Sequence, residues 1–232
     1  MTLDLALRIT EILLAFALLL PSAEHLAAKN EREKYLFAVR GVLCIWLFTG
    51  FASQFALLAL TGWCFLILHR FQGPYNGGSD RMSLLVLLCL TLAENLPGLQ
   101  AKELAFGYLG FQLTLSYFIS GWVKVINPDW RSGAALRDVF LFSAYPVSEN
   151  LRALAHRPNL LFVAGWAVIL FELAFPISLI SPITLVPALV IAASFHFSNA
   201  CFFGLNRFFW AWLSAFPSLI WLQERFIGAP LF

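Results

Sequence analysis

Lys124 stands at the end of a long apolar run, in Tyr117-Phe-Ile-Ser-Gly-Trp-Val-Lys-Val-Ile-Asn-Pro-Asp-Trp130. An ionisable side chain on a membrane helix is costly and is by default a hypothesis of function. A lysine amine held in an apolar cavity sheds its charge readily and is then a usable base. The blander reading is a lysine that snorkels from the helix end toward the headgroups. His196 and Asn199 lie i, i+3 in Phe195-His-Phe-Ser-Asn-Ala-Cys-Phe-Phe203 and share one helix face. They read as a polar pair facing a pocket or as an interhelical hydrogen-bonding pair. Glu172, in Leu170-Phe-Glu-Leu173, is the only acid well inside its run. It reads as the counter-ion of a buried Lys or Arg, or as a proton relay. Asn76 lies in the turn Gly73-Pro-Tyr-Asn-Gly-Gly-Ser79 and is a candidate inward-facing polar group. That turn lacks the Gly-Lys-Ser/Thr ending and strand context of a phosphate cradle. Arg40 and Glu94 sit near the ends of apolar runs, where snorkelling and an interfacial position are the simple readings. Lys124 and His196 are therefore the candidate catalytic residues. Asn76, Asn199, Trp130 and Glu172 are the candidate substrate contacts. No set of residues has metal-ligand spacing, so no metal is expected.

The elements that must position these residues follow from composition. Of 232 residues, 60% are hydrophobic and only 12% charged, and the mean hydropathy is +0.79. A soluble domain carries about 25% charged residues. The balance describes an integral membrane protein. Its continuous apolar runs demand helices, because lipid offers backbone groups no other partner. A net charge of +2 gives no case for nucleic acid. Cys44, Cys64, Cys89 and Cys201 all lie in apolar runs and form no Cys-x-x-Cys pair, so they read as small buried core residues.

A spanning helix needs roughly 20 apolar residues. The first runs over 3–20 and stops at Pro21-Ser22, ahead of a charged loop over 24–34. It carries Asp4, Arg8 and Glu11 and reads as a retained helix, not a signal peptide. Residues 35–69 are long enough for two spans with a turn near Gly50. A breaker-rich loop covers 70–81. Further spans are predicted over 82–96, 104–126, 159–180, 183–203 and 208–221. Short interfacial helices are predicted over 134–142 and 148–156. The fold class is all-α, a single polytopic bundle of about eight spans. The basic residues gather on one set of loops, which the positive-inside rule places in the cytoplasm. The chain is expected in a bacterial inner (cytoplasmic) membrane, in contact with lipids. On that topology Asn76, Lys124, His196 and Asn199 all fall toward one membrane face, as a shared polar cavity requires.

These motifs carry a resemblance. The stretch Tyr117-Phe-Ile-Ser-Gly-Trp-Val-Lys124, then Asp129-Trp130 and Gly133, resembles the helix and exit loop of the vitamin K-dependent gamma-carboxylase family, within the wider HTTM membrane superfamily. Phe195-His-Phe-Ser-Asn199, with Phe203, Phe208 and Pro217, is similar to a second signature, and Tyr75-Asn-Gly-Gly-Ser79 to a third. The resemblance implies a helical membrane domain with a pocket for a quinone or hydroquinone, Lys124 as base, and His196 and Asn199 lining the pocket. Where the family has a histidine in the third motif this chain has Gly77-Gly78. With that group missing, and with no large lumenal region before the end at Phe232, peptide carboxylation is not expected. The carboxylase site faces the lumen, opposite to the side that charge counting gives here.

Two functions from different classes are consistent with these residues. One is an enzyme acting on a quinone or other lipophilic redox substrate. The other is a non-catalytic subunit or assembly factor that packs against a partner membrane or redox protein. A small transporter ranks behind both, since no helices are visibly repeated or broken in pairs.

Overall fold

The computed structural model describes residues 1–70, 78–142 and 149–228. Among these the chain is all-α, with eleven α-helices and no strand. They are α1 (Leu3–His25), α2 (Glu31–Thr49), α3 (Ser53–Arg70), α4 (Gly78–Asn95), α5 (Leu99–Ile126), α6 (Pro128–Ser132), α7 (Ala134–Phe142), α8 (Glu149–Arg152), α9 (Pro158–Ala174), α10 (Pro182–Phe203) and α11 (Asn206–Leu222). Short 3-10 segments follow α8 (Ala153–His156) and α9 (Phe175–Ile180). A π-helical turn, Gln223–Ile227, follows α11.

Local chemistry sets these boundaries. Side-chain oxygens of Asn30, Asn127 and Ser181 accept from Arg32 N (2.9 Å), Asp129 N (2.9 Å) and Ile183 N (3.2 Å). Each satisfies a backbone donor that its helix start leaves over. Pro128, Pro158 and Pro182 occupy first-turn positions, where a missing N–H costs nothing. The turn expected near Gly50 is present, with Gly50 closing α2.

The expected stop at Pro21-Ser22 is absent. The helix α1 runs through Pro21 to His25, and the charged loop predicted over 24–34 shrinks because α2 already begins at Glu31. Pro21 removes only one helical hydrogen bond, and the neighbouring helices α2 and α4 hold α1 in place. The helix α6 was not foreseen, and the predicted loop over 70–81 gives way at Gly78, where α4 starts. Cys44, Cys64 and Cys89 are buried as expected; Cys201 is exposed, a correction to its core assignment.

The helices form two compact units. The first comprises residues 1–111 and 207–232. In it α1 packs on α2 and α4, and α3 packs on α2 and α4. Its core holds Leu7, Leu14, Phe37, Leu47, Leu57, Leu60, Leu87 and Leu90. The second comprises residues 112–206. In it α7 packs against α6 and α9, and a cluster of Phe140, Ala155, Leu161 and Phe203 forms under the short helices. Among the described residues, three stretches are long and apolar enough to cross a membrane: Leu99–Ile126, Pro158–Ile180 and Pro182–Phe203. Those are α5, α9 with its 3-10 extension, and α10.

Candidate functional site

In the second unit Lys124 shares one face of α5 with two further polar residues. Tyr117, Ser120 and Lys124 are spaced i, i+3, i+7 on α5, so they lie one above another. Gly121 sits among them at the closest approach of α5 to α9. A Cβ there would stand 2.8 Å from Leu173 N and 3.0 Å from Glu172 Cβ. Only hydrogen fits, and this is the use of small residues at membrane helix contacts.

That approach puts Lys124 against Glu172. Lys124 Nζ donates to Glu172 Oε2 at 2.6 Å and to Ser120 Oγ at 2.6 Å. Ser120 Oγ in turn donates to Glu172 Oε1 at 3.2 Å. The carboxylate is only 4% exposed and the lysine side chain 14%. The ammonium is also 5.3 Å from the centroid of the Trp130 ring, within range of a cation–π attraction. Trp130 reaches it because α6 turns the chain directly after α5 and Gly133 ends that turn at φ 83°. A Cβ on Gly133 would meet Phe162 N at 3.1 Å, so the exit loop lies tight on α9.

Two turns back along α5, about 10 Å at 1.5 Å per residue, Tyr117 forms a second buried contact. Its hydroxyl lies 2.9 Å from His196 Nε2 on α10. Its ring stacks on Phe175 with centroids 4.1 Å apart. Tyr117 is 3% and His196 5% exposed. Asn199, one turn further along α10, is half-buried. Its backbone oxygen accepts from Leu205 N at 3.3 Å at the helix end.

An open groove of about 570 Å³ runs along α5 beside Lys124. Leu115, Ile119 and Val123 give it an apolar floor; Gln112, Ser116, Ser120, Lys124 and Trp130 supply polar and aromatic groups. Its volume falls in the usual range for ligand sites, about 300–1,000 Å³. A hydrophobic ring system would meet apolar side chains along most of its length and the amine at one end.

A family model described as the HTTM domain matches residues 100–223. The chain belongs to the HTTM family. No curated protein and no solved structure matches it. The HTTM match covers Lys124, Trp130, Glu172, His196 and Asn199, and with them the approach at Gly121.

Within this HTTM chain, Lys124, Glu172 and Trp130 come together, with Glu172 Oε2 2.6 Å from Lys124 Nζ. His196 and Asn199 lie near the end of α10, His196 against Tyr117 of α5, and neither lines the groove at Lys124. Asn76 lies outside the described residues. Tyr117 and Ser120 escaped the sequence reading as site residues. Their i, i+3, i+7 register with Lys124 is the signal that marks them. Among the described residues no cluster of His, Cys, Asp and Glu has the form of a metal site.

Proposed function

We propose that this HTTM protein is a membrane-embedded enzyme acting on a quinone or other lipophilic redox substrate, with Lys124 as its base. The observation that carries this reading is the placement of Lys124 Nζ at one end of the α5 groove, held by Ser120 and Glu172. Only the neutral amine accepts a proton. Glu172 is the carboxylate hydrogen-bonded to it, and so is the group that takes the ammonium proton and frees the amine. The amine then takes the proton of a hydroquinone hydroxyl: the O–H bond breaks, an N–H bond forms, and the hydroquinone is left as its anion beside an ammonium. Trp130 offers a flat face for the ring of the substrate. The resemblance to vitamin K-dependent carboxylases supports the substrate class, and the chain is read as crossing an inner membrane about eight times.

The test is chemical. Purified protein is extracted with organic solvent and its lipids identified by mass spectrometry. The expected result is a quinone enriched over the bulk membrane in the wild type and depleted in the Lys124→Ala/Glu172→Gln double variant. A folded double variant with wild-type quinone content would sink the reading.

One observation favours the second reading, a non-catalytic subunit of a larger complex. The polar groups of the site already satisfy one another, as Lys124 with Glu172 and Tyr117 with His196. Exposed Phe118, Ile119, Trp122 and Val123 on α5 would then pack on partner helices. Recovery of the wild type as a stable monomer with bound quinone counts against it.

A further inference from the structure

The first unit contains a polar site that the groove on α5 does not involve. Arg40, on α2, is 6% exposed. It does not snorkel: its Nε donates to Ser22 Oγ at 2.8 Å, and its guanidinium carbon lies 4.5 Å from the centroid of the Phe37 ring. Its Nη2 is buried and has no hydrogen-bond partner among the described residues. A buried donor without an acceptor costs about 1–3 kcal/mol, more when the group is charged.

Arg40 also lines a recess of about 30 Å³ where α1, α2, α3 and α4 converge. Asp80 and Ser83 of α4 and Cys64 of α3 share its wall, with Leu18 and Leu87 as apolar lining. The size decides the ligand. A bound water needs about 10–15 Å³ of such space, so the recess holds about two. A lipid phosphate or a quinone ring needs several times that volume. The chemistry agrees. Arg40 only donates, the Asp80 carboxylate accepts, and the Ser83 hydroxyl does both. A bare anion would face Asp80 and a bare cation would face Arg40, whereas water donates to one and accepts from the other.

We infer that Arg40, Asp80 and Ser83 form an internal water site, in which about two water molecules bridge the guanidinium of α2 to the carboxylate of α4. The bridge ties the two helices together without direct contact of the charges and gives Arg40 Nη2 its acceptor.

Cys64 makes the site measurable. X-ray radiolysis turns ordered water into hydroxyl radicals that oxidise the side chains touching it. In full-length protein in lipid nanodiscs, Cys64 is expected to oxidise several-fold faster than Cys89, which is 3% exposed and lies off the recess. Arg40→Met should bring Cys64 down to the Cys89 rate, and Arg40→Lys should preserve the difference. Equal rates at Cys64 and Cys89 in the wild type overturn the inference without any variant. An unchanged Cys64 rate in folded Arg40→Met overturns it as well.

Discussion

Lys124 and Glu172 meet at 2.6 Å where two helices approach closely enough to exclude any side chain larger than hydrogen at Gly121. Forty-eight residues separate them in the chain. In a low-dielectric site the pair is stable only as a pair, since removing one partner strands a buried charge. Lys124→Ala should therefore destabilise the protein by about 3–5 kcal/mol, toward the lower figure because the lysine keeps some exposure. Adding Glu172→Gln should recover much of that loss. Thermal unfolding of both variants in the same detergent decides it; an equal loss in single and double variants would show that the charge pair is not what matters.

Gly121 makes this meeting possible, so it should be intolerant of bulk. Gly121→Val would drive its side chain into Leu173 N and Glu172 Cβ, which already stand 2.8 and 3.0 Å from a lone Cβ. Overpacking of this kind costs about 1–3 kcal/mol. The stability of Gly121→Val should fall, and under the proposed function its content of bound quinone should fall with it. A variant of wild-type stability would mean that α5 and α9 do not pack this closely in the membrane.

Much of the helical order was legible in the sequence because lipid leaves few choices. Apolar runs bounded by Gly50, Pro158, Ser181-Pro182 and Gly204 are helices bounded at or near those points. One difference arises where a local breaker is overruled. Pro21 reads as a stop, yet α1 continues past it, since neighbouring helices hold the segment. Arg40 reads as a snorkelling residue because a sequence cannot show that Ser22 and Phe37 receive it inside the bundle. The site was legible in part. One unpaired acid deep in a run implies a buried cation, and Glu172 meets Lys124. Tyr117 and His196 were not legible as a pair, because their contact joins helices 79 residues apart.

That pair makes its own prediction. Tyr117→Phe removes one hydroxyl and its contact with His196 Nε2 while keeping the ring stacked on Phe175. The cost should be about 1–3 kcal/mol, the penalty for breaking a buried polar contact from one side. In a double-mutant cycle with His196→Leu the two losses should be strongly non-additive. Additive losses would mean that the hydroxyl and the imidazole do not interact.

The first unit offers a test that is independent of the groove. Arg8 reaches from α1 to the end of α2, where Nη1 donates to Leu47 O at 2.9 Å and Nη2 to Phe48 O at 2.6 Å. Nη1 also donates to Glu11 Oε2 at 2.8 Å, a carboxylate that is 3% exposed. One cation thus serves two needs: the carbonyls that α2 leaves unsatisfied at its end and the charge of a buried acid. Arg8→Met keeps the apolar stem and removes both services. Its loss of stability should exceed that of Glu11→Gln, which removes one charge and leaves the two carbonyl bonds in place. Hydrogen bonds from charged groups contribute about 1.5–3 kcal/mol each, so the two variants should separate clearly in thermal unfolding. Hydrogen exchange should rise over the last turn of α2 in Arg8→Met alone. Equal protection there in both variants would show that Arg8 acts only through Glu11.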